Sequence, residues 1–189
     1  GYVTNGVHMP SWDSPEADKL WTEACGKDRW LGSLETIENN INAISDERLW
    51  TLKKIKGDEF VQDVREHYSQ QLETIGCGEE EIKEANKLFD PSYLTLGFAR
   101  RFVPYKRPVL LLHDKERFKN ILSNLKNPVQ FVIAGKAHSK DFQSQEMIKE
   151  WVQFINSNNL GNRVVFLSDY DMLLTEQMVQ GVDVWVNTP

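Results

Sequence analysis

From residue 93 onward the chain alternates short apolar runs with segments of helical period, and this alternation constrains its fold more than any other feature. The apolar runs occupy 93–99, 129–134, 163–167 and 182–186. Between the first two, Phe118, Ile121, Leu122 and Leu125 recur at i, i+3, i+4 and i+7, and between the next two Ile148, Trp151, Val152 and Ile155 repeat that spacing. Such spacing puts one apolar stripe on each helix, ready to cover a sheet. A third connecting helix is predicted over 172–180. Parallel strands need a crossover of a dozen or more residues, usually a helix. Strand, helix, strand repeated in this way therefore predicts an α/β fold: a Rossmann-like parallel sheet with helices on both faces.

The first half has a different texture. Ser14 precedes Pro15 and Glu16, which supplies a cap, a proline at the first helical position and an acid near the positive helix end, and Gly26 offers a stop. Ser45, Asp46 and Glu47 repeat the start signal; Leu49, Leu52, Ile55, Phe60 and Val64 then fit one or two amphipathic helices, with Gly57 weakening the middle. The Gly76-Cys77-Gly78 step breaks the run before an acidic helix over about 79–88. The expected organisation is a loop and helical lead-in over 1–92, followed over 93–189 by a partial α/β domain truncated at its C-terminal end. The last strand halts at Asn187-Thr188-Pro189, at the lip of the crevice where open parallel sheets bind ligands.

Net charge is −6 over 189 residues, which does not favour a polyanion, so any anion site must be a local basic cluster. Two cysteines, Cys25 and Cys77, stand far apart with no metal-ligand spacing, and His8 and His138 are not spaced to share a metal. His67 and His113 read as exposed helix residues. Neither a metal nor a dense disulfide framework is expected, and a reducing, cytoplasmic compartment fits. No run reaches the roughly 20 apolar residues that span a bilayer, so no membrane role is expected.

One local cluster does stand out. Arg100, Arg101, Lys106 and Arg107 place four cations within eight residues, directly after a predicted strand and before a predicted helix. Guanidinium and ammonium groups at a helix N-terminus make a phosphate site, whereas the plainer reading is a solvated basic loop. A second strand-end stretch, 134–138, adds Gly135, which permits close backbone approach, and Lys136. It is not a P-loop, since the GxxxxGK[ST] spacing is absent. In the third, Ser168-Asp169-Tyr170-Asp171, helix capping outweighs acid/base or metal chemistry, and Tyr170 can stack on a flat ligand or simply pack. The opening loop over 4–12 gathers an amide, an imidazole and an indole, groups that bond and stack on sugars.

Taken in order, the stretches TNGVHMPSW, GFARRFVPYKR, VIAGKAH and RVVFLSDYDMLLTEQMVQGVDVWVNTP resemble the glycogen/α-glucan phosphorylase family, and most nearly its shorter, microbial-type branch. The resemblance spans nearly the whole chain, although 13–90 shares only a helical pattern. It implies part of the C-terminal domain of a two-domain GT-B glycosyltransferase that phosphorolyses α-1,4-glucan with orthophosphate, giving glucose 1-phosphate. It also implies pyridoxal phosphate as cofactor, whose own phosphate relays the proton.

Carried over by motif position, Arg101 would hold the substrate phosphate, and Lys106 with Arg100 the cofactor phosphate. Arg100 stands where animal members carry lysine. Asn5 would bond a glucose hydroxyl, Trp12 and Tyr170 would line the cofactor pocket, and Lys136 matches the substrate-side motif without a defined contact. The lysine to which the family attaches its cofactor lies beyond the NTP that ends this sequence, so the 189 residues alone are expected to be inactive. A homo-oligomeric full-length enzyme is compatible with the resemblance. Two rivals share the scaffold or the ligand: a glycogen/starch synthase-like sugar-nucleotide transferase, and a non-catalytic glucan- or phosphate-binding module. Nucleic-acid binding needs an extended positive stripe, which one basic turn does not provide.

Overall fold

The computed structural model describes residues 3, 6–29 and 34–188. It resolves into two compact units, Gly1–Lys56 and Gly57–Pro189, taken here in turn.

In the first unit, α1 (Pro15–Cys25) starts as its sequence dictates: Ser14 accepts a hydrogen bond from the Ala17 amide at 3.1 Å, Pro15 follows, and Gly26 closes the helix at φ 83°. The Arg29 side chain is buried, donating to Thr22 Oγ1 at 2.8 Å and pairing with Asp18. Burial beside it pushes the Asp13 carboxyl above its ordinary value, the Arg29 charge notwithstanding. The helix α2 (Leu34–Asn42) follows. Asp46 then opens α3 (Asp46–Thr74), one unbroken helix in which Gly57 is accommodated and buried. Its Gly57–Thr74 part belongs to the second unit.

The second unit is built on four strands, β1 (Leu94–Ala99), β2 (Val129–Ala134), β3 (Val164–Leu167) and β4 (Val184–Trp185). All pairings are parallel and the order is β3-β2-β1-β4. The chain thus steps outward from β1 to β2 to β3, then returns to the other side of β1, which puts the topological switch point between β1 and β4. Between the strands run α5 (Lys115–Leu122), α6 (Phe142–Ser157) and α7 (Met172–Gly181), while α4 (Glu79–Ala85) precedes the sheet.

Because successive strand residues face opposite ways, the sheet has two apolar faces. One carries Phe98, Phe131, Ile133, Val164 and Phe166 against Phe118 and Leu122 of α5 and Trp151, Phe154 and Ile155 of α6. The other carries Val132, Ala134, Val165 and Leu167 against Phe60, Val61 and Val64 of α3 and Leu174 and Met178 of α7. Helices therefore cover both faces, as the alternating pattern predicts. Phe60, Val61 and Val64, from within the predicted helical lead-in, are thus part of the sheet's own packing. A glycine permits the close approach of α3 and α7: a Cβ at Gly181 would lie 2.1 Å from that of Phe60.

Several local expectations are corrected. The outer strand is two residues long rather than spanning 182–186. The acidic helix stops at Ala85. Leu125 does not join the α5 stripe but is 84% exposed, because Asn124 Oδ1 accepts from the Lys126 and Asn127 amides and turns the chain after Leu122. Val152 faces outward on α6. His67 is half-buried, its Nε2 3.2 Å from Gln177 Oε1 of α7. Among the described residues, no helix is long and apolar enough to cross a membrane.

Candidate functional site

The cationic turn leaves the carboxyl end of β1 and is held by its backbone to the loop after β2. The Arg100 amide donates to the Ala134 carbonyl at 3.0 Å and the Phe102 amide to the Lys136 carbonyl at 2.9 Å. Between the cations, Phe102 turns inward and is 0% exposed, its ring edge-on to Phe98 and Phe166 at centroid distances of 6.2 and 5.6 Å. Only glycine fits opposite it, since a Cβ at Gly135 would sit 2.4 Å from the Phe102 ring and 2.7 Å from the Arg100 carbonyl oxygen. This buried aromatic anchors the turn while leaving Arg101 exposed on its near side and Arg107 on its far side.

The other end of the turn is tied down as well. Arg100 Nη1 donates to the Thr188 carbonyl at 2.7 Å, and Thr188 Oγ1 donates to the Lys106 carbonyl at 2.8 Å. These bonds join the end of β1 to the segment after β4, across the switch point. Beyond them, buried Trp151 Nε1 donates to the Pro108 carbonyl at 2.9 Å. The turn is thus fastened at Arg100, Phe102, Lys106 and Pro108, which restricts the conformations its cations can visit.

The loops after β2 and β3 meet alongside. The Gly135 amide donates to the Leu167 carbonyl at 3.3 Å, and Lys136 Nζ pairs with Asp169 Oδ1 at 3.2 Å. Ser168 is held by Gln71 Oε1, which accepts from its amide and its hydroxyl, each at 2.8 Å. Tyr170 is half-buried and packs on the same apolar face as Ala99, the last residue of β1. Arg100, Arg101, Lys106, Lys136 and Tyr170 therefore all lie on loops at the carboxyl ends of adjacent strands. Asn5 lies outside the described residues. Trp12 ends the 3-10 turn Met9–Ser11 in the first unit.

The expected helix N-terminus is not found at the turn. Pro104–Lys106 is a single 3-10 turn, a second 3-10 segment covers Leu110–Asp114, and α5 begins only at Lys115. Pro108 explains this: proline disfavours the α region for the residue before it, and Arg107 sits in the left-handed region at φ 47°. The positive potential is therefore carried by side chains, without a helix dipole. Asp171 caps α7 by accepting from the Leu174 amide at 2.8 Å, as the capping reading predicts, and Asp141 caps α6 through the Ser144 amide at 3.0 Å. Hydrogen bonds from Ser144, hydroxyl first and amide second, hold the Asp141 carboxyl below its ordinary value. The Asp-x-x-Ser spacing over 141–144 carries that cap in the sequence.

Charge pairing separates the cations. Among the described residues, no carboxylate lies within 4.0 Å of Arg100, Arg101, Lys106 or Arg107, whereas Lys136 is paired with Asp169 and Lys115 with Glu150. In a chain of net charge −6, four neighbouring cations without a carboxylate among them concentrate positive charge on one turn. Lys106 Nζ lies 5.8 Å from the Tyr105 ring centroid, the outer range of a cation–π contact. An open cavity of about 980 Å³ adjoins the turn, lined in part by Pro104, Arg107, Leu110, His113, Met147 and Glu150. It shares Arg107 with the cluster but none of Arg100, Arg101, Lys106 and Lys136, so among these cations the cavity meets the turn through Arg107.

Fold and site together define a Rossmann-like α/β protein with a cationic, pinned loop at its switch point. The chain is 34% identical over all 189 residues to a glycogen phosphorylase of Aquifex aeolicus, covering 27% of that protein. It is 33% identical over its full length to a glycogen phosphorylase of Mycobacterium tuberculosis, covering 22% of it. A maltodextrin phosphorylase of Thermococcus litoralis is 35% identical over 188 residues, again with 22% covered. No family model matches the chain. Over its full length the chain is thus similar to glycogen and maltodextrin phosphorylases, and it spans about a quarter of the length of these curated relatives.

Proposed function

We propose that this chain forms the phosphate-gathering part of an α-glucan phosphorylase, a glycosyltransferase of GT-B architecture that transfers the terminal glucose of an α-1,4-glucan to orthophosphate. The observation that carries the reading is the cluster at 100–107, four cations with no carboxylate partner among the described residues, on a loop fastened at both ends. Phosphorolysis brings phosphate groups close together, and positioned cations stabilise the charge they accumulate. Arg101, exposed on the turn, binds the substrate phosphate. Lys106 and Arg100 would hold the phosphate of pyridoxal phosphate, a group to which two cations of one fastened turn are suited in charge. When bound, that cofactor supplies a phosphate able to pass a proton to the substrate phosphate.

The remaining residues take supporting roles in the same reading. Tyr170 lines the cofactor pocket and Lys136 serves the substrate side once released from Asp169, while Trp12 and Asn5 keep only the cofactor and glucose contacts that the family resemblance implies for them. The whole enzyme acts in the cytoplasm, and the 189 residues by themselves neither attach the cofactor covalently nor turn over glucan.

The test is titration of the chain with inorganic phosphate, followed by amide NMR shifts. Phosphate is expected to move the signals of 100–107, and Arg101→Ala to weaken binding by about 10- to 100-fold, the worth of a charged hydrogen bond. Unchanged affinity in Arg101→Ala would remove Arg101 from the site.

A further inference from the structure

Four cations within eight residues repel one another, and an untethered loop would relax by spreading them apart. The structure shows what opposes this. Thr188, which follows β4, is 4% exposed and touches the turn twice, accepting from Arg100 Nη1 through its carbonyl and donating through its hydroxyl to the Lys106 carbonyl. One residue thereby holds together two turn positions six residues apart, from a point in the chain more than eighty residues away.

We infer that Thr188 is a positioning residue for the anion site: its hydroxyl clasps the turn at Lys106 and sets in advance the spacing of Arg100, Arg101 and Lys106. The inference rests on the reading of 100–107 as a phosphate site. Its physical basis is preorganisation, because a loop already held in its binding conformation loses less conformational freedom when the anion arrives. Thr188 acts through Arg100 and Lys106. The other anchors, Phe102 and the Trp151 bond to Pro108, flank the clasp and do not replace it, since neither bonds the segment 104–106.

The experiment compares Thr188→Val, which keeps the shape and the backbone carbonyl but removes the hydroxyl, with Thr188→Ser, which restores it. Inorganic phosphate affinity and amide hydrogen exchange are measured on the full chain. Thr188→Val is expected to bind phosphate about fivefold more weakly, the loss of one neutral hydrogen bond. Exchange should accelerate at 101–107 while β1, β2 and β3 stay protected, and Thr188→Ser should restore both properties.

Wild-type affinity in Thr188→Val overturns the inference alone. Exchange that accelerates evenly across the sheet does so too, since it marks a general structural role. Failure of the wild-type chain to bind phosphate overturns the anion-site reading and this inference with it. Should Thr188→Val not fold, Thr188→Ala, which relaxes the packing demand, is read by the same outcomes.

Discussion

Replacing Gly135 with alanine tests how tightly the sheet and the cationic turn are coupled. The added Cβ would lie 2.4 and 2.5 Å from two Phe102 ring carbons and 2.7 Å from the Arg100 carbonyl oxygen. Carbon atoms rest at about 3.5–4.0 Å, so the ring would have to retreat by about 1 Å. It has nowhere to go, being fully buried and set edge-on against Phe98 and Phe166. Overpacking of a core costs about 1–3 kcal/mol, and a clash that includes backbone belongs in the upper part of that range. For a chain of this length each kcal/mol moves the thermal midpoint by about 2–4 °C, so calorimetry should find Gly135→Ala melting about 5–10 °C lower. Its phosphate affinity should fall as well, because the displaced atoms belong to the turn. Gly161→Ala is the matched control: nothing lies within 4 Å of its built Cβ, and a change within about 0.5 kcal/mol is expected. Equal midpoints for the two variants would refute the argument that this contact locks the turn to β2.

Two further outcomes are expected. Trp151→Phe removes the bond from Nε1 to the Pro108 carbonyl inside a cluster with Phe118, Phe131 and Phe154; a buried acceptor left unsatisfied, plus lost volume, should cost about 2–4 kcal/mol in urea unfolding, and a loss under about 0.5 kcal/mol would show that the anchor is idle. Asp90 accepts from the Ser92 hydroxyl at 2.7 Å and amide at 2.8 Å, and these bonds, helped by Arg65 and Arg163, hold its carboxyl below its ordinary value. A depressed folded-state pKa contributes stability that is complete above the unfolded value near about 3.9 and is lost as pH falls through the folded value. Asp90→Asn should therefore lose less stability than wild type on acidification below about pH 4, and parallel curves would rule the contribution out.

Much of the architecture was legible along the chain because it depends on neighbours. Ser14, Pro15 and Gly26 delimit α1 through their own backbone and side-chain preferences, and the alternation of strand and helix periods announced a parallel sheet with two covered faces. The same local view misjudged the turn at 100–107. Its residues suggested an approach to a helix, but Pro108 disfavours a helical Arg107, and only 3-10 turns follow before α5.

Composition, periodicity and the ordered motifs thus determined the fold class, the family resemblance and the place where cations accumulate. The tertiary structure alone decided how those cations are held. It put β4 beside β1, so that Thr188 reaches Arg100 and Lys106; it paired Lys136 with Asp169; and it set Trp151 under Pro108. Each of these joins residues tens of positions apart. Helical and strand periods report only which face of its own element a residue occupies, whereas strand order and loop contacts follow from burying both faces of the sheet at once.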